Sequence, residues 1–396
     1  MSRLEELIQQ HCPDGVEYKK LEDCLNYEQP TKYIVNDTNY DDTYPTPVLT
    51  AGQSFILGYT NEKTGIYQAS KEKPVIIFDD FTTGFHWVDF DFKVKSSAMK
   101  MLRPSCDDIS FRYVYYAMCC IHFEPGTHTR HWISIYSQFE IPVPPLPVQE
   151  EIVRILDNFA ELQAELQAEL QKRLQQYNYY RDKLLTFNDL NGGGYAVSVE
   201  WKKLGEIATL IRGGNFQKKD FTDSGVPCIH YGQIYTHFGI HTTSTLKYIS
   251  PEVASKSKIA KTNDIVMAIT SENVEDVGKC VAWLGDEDIA VSGHTAIIQH
   301  KQNTKYLSYY FHSSHFFTQK KRLAHGTKVI EISPKDLANV VIPIPPLAEQ
   351  QRIVDILDRF HALTTDITAG LPAEIEARRK QYEYYRDQLL TFKQKA

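Results

Sequence analysis

The chain has 396 residues, 42% of them apolar and 23% charged, with 43 basic and 50 acidic side chains for a net charge of -7. That length and balance exclude a small disulfide-stapled scaffold and a disordered chain, and they suffice for two or three domains with cores of their own. No run approaches the roughly 18 consecutive apolar residues of a spanning helix, and the opening Met1-Ser-Arg-Leu-Glu-Glu-Leu lacks an apolar signal core, so a cytoplasmic protein with no membrane attachment is expected.

Residues 1–145 read as a first globular segment, β-rich with a few helices. Val75-Ile-Ile-Phe78 and Phe90-Asp-Phe-Lys-Val94 have strand composition, and Tyr113 to Ile121 reads as an aromatic-rich helix. Pro13-Asp14 followed by Glu17-Tyr-Lys19 mimics a nuclease signature, but two intervening residues leave no room for the strands that bring metal-binding carboxylates together. The seven cysteines are odd in number and show no Cys-x-x-Cys spacing, which predicts free thiols. Cys119, Cys120, His122, His128 and His131 cluster, yet adjacent cysteines do not easily point at one ion, so no metal site is expected.

Residues 146–190 follow as a spacer helix. Its stripe of Ile152, Ile155, Leu156, Phe159, Leu162, Leu166, Leu170, Leu174, Tyr177 and Leu184 steps by three and four, predicting an amphipathic helix from about Gln149 to Phe187. Within it Ala160-Glu-Leu-Gln repeats at Ala164 and Ala168. Each such unit adds about 6 Å and turns the far end by roughly 40°, close to the rotation of one base-pair step.

Residues 191–346 form the second globular segment, with strands expected at Asp264-Ile-Val-Met-Ala-Ile269 and Ala296-Ile-Ile-Gln299 and a helix over Lys305 to Leu323. Charge is unevenly shared: residues 1–140 carry 13 basic and 20 acidic side chains, and residues 200–340 carry 17 and 14. The second segment is mildly basic, so a DNA-binding role would need basic residues gathered on one face or a partner supplying phosphate neutralisation. Residues 347–396 are a second spacer helix with its stripe at Ile353, Ile356, Leu357, Phe360, Leu363 and Ile367, then Ile375, Tyr382, Tyr385 and Leu389. Gly370-Leu-Pro372 predicts a break.

The chain is written twice. Ile141-Pro-Val-Pro-Pro-Leu-Pro-Val-Gln-Glu-Glu-Ile-Val-Arg-Ile-Leu-Asp-Asn-Phe159 recurs as Ile342-Pro-Ile-Pro-Pro-Leu-Ala-Glu-Gln-Gln-Arg-Ile-Val-Asp-Ile-Leu-Asp-Arg-Phe360. Tyr177-Asn-Tyr-Tyr-Arg-Asp-Lys-Leu-Leu-Thr-Phe187 returns as Tyr382-Glu-Tyr-Tyr-Arg-Asp-Gln-Leu-Leu-Thr-Phe392, and Val16-Glu-Tyr-Lys-Lys-Leu21 is echoed by Val199-Glu-Trp-Lys-Lys-Leu204. An apolar stripe of that length must be covered, and its simplest cover is the other copy. The fold class expected is therefore α+β: two tandem β-rich globules joined by two long antiparallel helices forming a coiled-coil spacer, related by a pseudo-twofold axis.

No phosphate loop, no Gly-x-Gly-x-x-Gly after a strand and no helical metalloprotease pattern is found. The Val143-Pro-Pro-Leu and Ile344-Pro-Pro-Leu runs lack the Asn or Asp that an amino-methyltransferase loop uses to hold its target amine.

Taken together, the opening residues, the Ile-Pro-x-Pro-Pro-Leu pair, Gly370-Leu-Pro-Ala-Glu-Ile375 and the two Tyr-x-Tyr-Tyr-Arg-Asp blocks closely resemble the specificity subunit of type I restriction-modification systems, over nearly the whole chain. The resemblance implies two target recognition domains that each read one half of a split, asymmetric double-stranded DNA target, with the helices setting the unread gap. It implies no catalytic centre in this chain. Adenine methylation with S-adenosylmethionine would belong to two modification subunits, and ATP- and magnesium-dependent translocation and cleavage to restriction subunits, so no cofactor is expected here.

Candidate recognition edges are Gln53, Thr82, Thr83 and His86 in the first half and Tyr231, Gln233, Ser271, Asn273 and Thr327 in the second. Lys100, Arg130, Lys218, Lys219 and Lys328 are candidate phosphate contacts, and Tyr179, Tyr180, Arg181, Tyr384, Tyr385 and Arg386 are candidate docking residues for partner subunits. The rival from another class is a scaffold that presents two heads on a coiled coil without DNA.

Overall fold

The two echoes that frame each half of the sequence meet in space as partner strands. In the computed structural model, Glu17–Lys20 pairs antiparallel with Glu140–Val143, Glu17 opposite Val143. Glu200–Lys203 pairs in the same way with Val341–Ile344, Glu200 opposite Ile344. These are two-stranded ribbons, so Pro142 and Pro343 deprive no central ladder of a donor. The structure describes residues 2–52, 54–126, 129–187, 198–366 and 368–395. The chain divides into two compact units: Met1–Leu166 with Ile375–Ala396, and Gln167–Glu374.

In the first unit four antiparallel strands stand in the order Leu25–Glu28, Met99–Pro104, Val75–Asp79, Phe85–Val88. Val75–Asp79 is apolar at four successive positions because both its faces are covered. Ile76 and Phe78 meet Tyr113 and Tyr116 of the helix Phe111–Met118 and the start of the long helix at Val148, Ile152 and Leu156. Val75 and Ile77 point the other way, to Leu49, Tyr67, Phe92 and Val94 beside a three-stranded sheet. Of the expected strand over residues 90–94, only Lys93–Val94 is a ladder strand, and Phe92 makes a single bridge to Tyr67.

The second unit repeats the frame with more sheet. Five strands run in the order Ala208–Arg212, Thr295–His300, Ile265–Ala268, Cys280–Trp283, His241–Thr242, and a second five-stranded sheet is centred on Val226–Ile229. Ile265 and Met267 face the helices, whereas Val266 and Ala268 face the second sheet with Ile229, Val281 and Val291. The single helix expected over residues 305–323 is two, Thr304–Phe311 and Ser314–Leu323. Ser313 ends the first by offering its hydroxyl to the Phe316 N–H, which caps the second.

One helix, Leu146–Thr186, runs for 41 residues with Pro147 in its first turn, where proline costs no hydrogen bond. The C-terminal helix breaks where the sequence predicts, into Leu347–Thr365 and Leu371–Leu389. At Gly370 a Cβ would lie 2.6 Å from the Ala362 carbonyl oxygen, so only glycine fits the turn. Ile367 lies outside the described residues.

Each helix start is locked by the same glutamine. Gln149 Nε2 donates to the Pro144 carbonyl (2.6 Å) while its Oε1 accepts from Ser110 N (2.9 Å). Gln350 does likewise with Pro345 (2.8 Å) and Asn303 N (3.0 Å). Tyr113 and Tyr306 donate to the carbonyls of Pro142 and Pro343. Asp157 takes Arg112 and Tyr116, as Asp358 takes Lys305 and Tyr309. These contacts tie head to helix, and the bonds to the four proline carbonyls are buried, so breaking one of those leaves a desolvated acceptor without a partner.

Candidate nucleic-acid interface and docking faces

In the first unit three loops converge beyond the end of Val75–Asp79. Asp79 accepts from the N–H groups of Phe81 and Thr82 (2.8 and 2.9 Å), tightening a turn that leaves Thr82 exposed. Gly84 lies against the Ala51 carbonyl, where a Cβ would come within 2.4 Å. The His86 ring packs on Phe55 (centroids 4.5 Å) and its Nε2 lies 3.2 Å from the Gly52 carbonyl, joining the turn to the 50–55 loop. Arg130 is exposed on the third loop. Gln53 lies outside the described residues.

Two expected contacts in this unit are corrected. Lys100 is 1% exposed and pairs with the equally buried Asp80 at 2.9 Å, so it is an internal ion pair and not a phosphate contact. Thr83 is buried at φ 58° and donates its hydroxyl to the Thr82 carbonyl, so it shapes the turn and offers no free edge.

The second unit gathers its candidates more tightly. Tyr231, Ser271 and Asn273 line one cavity of about 330 Å³ together with Tyr235, Glu272 and His294. Two aromatic phenols, an imidazole and the carboxylates of Glu272 and Asp276 in one concavity make a surface suited to base edges, whose exocyclic amines donate and whose ring nitrogens accept. Tyr235 donates to the Thr270 carbonyl, and the Thr270 hydroxyl lies 3.0 Å from His294 Nδ1, which fixes the floor. Asn273 caps its own loop, accepting from Asp276 N (2.7 Å) and donating to Asp276 Oδ2 (2.9 Å). Lys279 at 2.6 Å, together with the Asn273 amide, holds the Asp276 carboxyl below its usual range.

Gln233 is the third correction: it is buried, and its Oε1 accepts from His230 N (2.8 Å) to cap the helix Tyr231–Thr236. His230 completes that cap, accepting from Gly232 N through Nδ1 (3.2 Å). Burial, with help from the Lys218 charge, pushes its pKa down to about 4, so the ring is neutral and able to accept. Lys218, Lys219, Thr327 and Lys328 are all exposed, where phosphate contacts are available to them. Thr327 and Lys328 ride on a turn at Gly326 (φ 116°), where a Cβ would collide with the Val329 carbonyl.

Tyr235 and Phe55 were not singled out from the sequence. Tyr231, Ser271 and Asn273, expected from the sequence, pointed to the second unit's cavity.

The docking candidates sort by exposure. Tyr179 and Tyr384 are 60% and 62% exposed. Tyr180 and Tyr385 are half-covered: Tyr385 stacks on Phe159 in the first unit (5.6 Å, 23°) and Tyr180 on Phe360 in the second (5.7 Å, 22°). As the long helix advances from Tyr177 to Tyr180, its partner steps back from His361 to Phe360, the antiparallel sense expected. Arg181 and Arg386 are corrected. Their side chains are largely covered, folded over Tyr177 and Tyr382 and paired with Asp182 and Asp387, so they brace the helices and do not reach outward.

Burial lifts the Cys119 and Cys120 thiols to about 11 and about 12, so both stay protonated at neutral pH. All seven cysteines are free. Among the described residues no helix is long and apolar enough to cross a membrane.

The family described as the type I restriction modification DNA specificity domain matches residues 13–176 and 197–377. A type I restriction enzyme specificity subunit of Escherichia coli is 46% identical, over 99% of this chain and 97% of its own length. A putative type I restriction enzyme specificity subunit of Haemophilus influenzae is 29% identical, over 95% and 96%. Among solved structures, a chain of a type I restriction-modification system aligns over 96% of this chain and 98% of its own, with a TM-score of 0.61 at 17% identity. The specificity subunit of M. genitalium aligns over 95% and 96%, with a TM-score of 0.52 at 12% identity. With two copies of the domain on one frame and a relative this similar along its whole length, the chain belongs to the specificity subunits of type I restriction-modification systems.

Proposed function

We propose that each unit of this specificity subunit reads one half of a bipartite double-stranded DNA target, and that the helices set the gap between the halves. One observation carries this reading: the two units share a frame almost position for position and differ at the loops. Gln149 and Gln350, Tyr113 and Tyr306, and Asp157 and Asp358 make the same bonds. The first unit's edge sets the aromatic rings of Phe55 and Phe90 beside His86, whereas the second's is a polar cavity around Tyr231 and Glu272. A frame kept twice with unlike edges suits two readers of unlike sequences.

In this reading the chain is not itself catalytic and holds no cofactor. Two modification subunits, docked at Tyr179 and Tyr384, supply S-adenosylmethionine chemistry, and restriction subunits supply ATP- and magnesium-dependent cleavage, in the cytoplasm. The exposed Arg130, Lys218, Lys219 and Lys328 supply phosphate contacts that add salt-dependent affinity without sequence preference. The test is genome-wide adenine methylation in cells expressing the chain with its modification subunit, compared with cells lacking it. A new motif of two short blocks around a fixed gap is expected. An assembled, soluble complex that adds no motif overturns the reading.

A further inference from the structure

The buried pair Asp80–Lys100 is the one fully enclosed ion pair among the described residues whose two partners are each no more than 2% exposed. The four polar atoms of Asp80 are committed to two segments, residues 98–100 and 131–132. Its Oδ2 meets Lys100 Nζ at 2.9 Å on the neighbouring strand. Its Oδ1 accepts from Trp132 N (2.8 Å), its carbonyl accepts from His131 N (2.8 Å), and its own N–H donates to Ala98 O (2.9 Å). Asp80 thus sits one residue from the turn that carries Thr82 and grips the segment that carries Arg130. Lys100 extends the grip to Gln29 Oε1 (3.5 Å) and lies over the Tyr27 ring.

The second unit shows what this position looks like without charge. Ile269 N donates to His294 O and Ile269 O accepts from Ile332 N, both at 2.9 Å, the same backbone bonds that Asp80 makes. Strand register sets Lys100 opposite Phe78 and Ala296 opposite Met267, so Ile269 and Ala296 stand where Asp80 and Lys100 stand in the first unit. There the two edges are joined by a ladder, Thr270 opposite Glu331 and Ser271 opposite Ile330. The fold therefore does not require charges here, and an apolar pair fills the place. Buried ion pairs are poor sources of stability, and their best-attested use is to fix one arrangement among several.

We propose that Asp80 and Lys100 are positioning residues that lock the Thr82 turn and the Arg130 segment into a single recognition edge, giving the first unit its sequence discrimination. The proposal rests on the reading that these edges face DNA. Asp80 supplies the acceptor that aims the 131–132 backbone, and Lys100 holds that carboxylate in the orientation that does so.

The experiment compares methylation motifs written by the complete methyltransferase complex carrying wild-type chain, Lys100→Met, Lys100→Arg, or the double substitution Asp80→Ile with Lys100→Ala, with thermal unfolding of each. Thr82→Ala, on the exposed edge, identifies which motif block belongs to the first unit. Lys100→Met is expected to raise methylation of sites mismatched in that block about tenfold relative to matched sites, the scale of one base-pair preference, and to leave the other block unchanged. Lys100→Arg is expected to keep the block strict. The double substitution, which copies the second unit, is expected to restore unfolding temperature without restoring strictness, because replacing Asp80 takes away the acceptor of Trp132 N.

Strictness that returns together with stability in the double variant overturns the proposal in favour of a purely structural pair. So does an assembled Lys100→Met complex whose block is as strict as wild type, or one whose two blocks loosen equally. If Lys100→Met does not fold, the double variant decides alone. Absence of any bipartite motif with the wild-type chain is a failure of the DNA reading itself, and so is distinguishable.

Discussion

Three histidines in the second unit show how local environment sets a protonation state. His230, His300 and His312 are pushed by burial from the ordinary histidine value to about 4, and the Ser308 carbonyl at His312 Nδ1 only partly opposes this. In the unfolded chain each takes up a proton near pH 6.5, whereas the folded chain resists until about pH 4. Between those values the unfolded state binds more protons, so stability is complete above pH 6.5 and falls as pH drops through the window. Urea unfolding of a chain that keeps Trp283 as its only tryptophan, followed by fluorescence, should show a lower midpoint at pH 5 than at pH 7; an unchanged or raised midpoint would contradict the burial argument. Residue-scale roles were the least legible in the sequence. Lys100 looks like a surface cation in isolation, although Met99 and Met101 on either side mark a strand buried on both faces. Gln233 looks like a base reader until the neighbouring His230 is seen to need a cap.

Among the elements, the paired tyrosines separate packing from outward display. Tyr385 contributes a stacked face to Phe159, and Tyr384, one residue earlier, points away from that contact. Truncating Tyr385 to Ala should cost about 1 to 3 kcal/mol of stability through lost aromatic contact and burial. Tyr384→Ala should leave thermal unfolding unchanged yet weaken capture of the modification subunit in pull-down; equal effects of both would remove the docking role. Elements were largely readable. The long helix, its partner's break at Gly370 and the strands Ile265–Ala268 and Thr295–His300 follow from periodicity and punctuation. The split at Ser313 was hidden because apolar residues continue on both sides of it, and only the capping bond marks the boundary. Partnership between the opening and closing strands of each unit was likewise out of reach, since pairing across more than a hundred residues leaves no local trace.

On the scale of the whole molecule, the threefold Ala-Glu-Leu-Gln run lies within the long helix where one unit gives way to the other, at Leu166 and Gln167. Leu162, Leu166 and Leu170 are half-buried there, and no residue between Leu156 and Tyr177 is fully buried. A segment so uniform tolerates loss of a whole unit, because the next four residues present the same side chains one turn on. Deleting residues 164–167 should shorten the gap in the methylation motif by about one base pair, since four helical residues turn by roughly 40°. An unchanged gap would take the spacing role away from the helix. The repeat itself was plain in the sequence because identical tetrapeptides need no tertiary context to be seen.

The first unit closes on residues from the far end of the chain. Val16 N donates to Lys393 O, Lys395 N to Val16 O, and the Tyr18 hydroxyl to Phe392 O, while Leu390 lies in the same core as Leu4 and Leu21. The second unit, by contrast, lies entirely within the interval that separates the two parts of the first. During synthesis the order of completion is therefore inverted: the earlier part of the first unit waits, with part of its apolar surface uncovered, until the segment from Ile375 follows the whole of the second unit. A nascent chain halted between residues 374 and 390 carries a finished second reader and an unsealed first one.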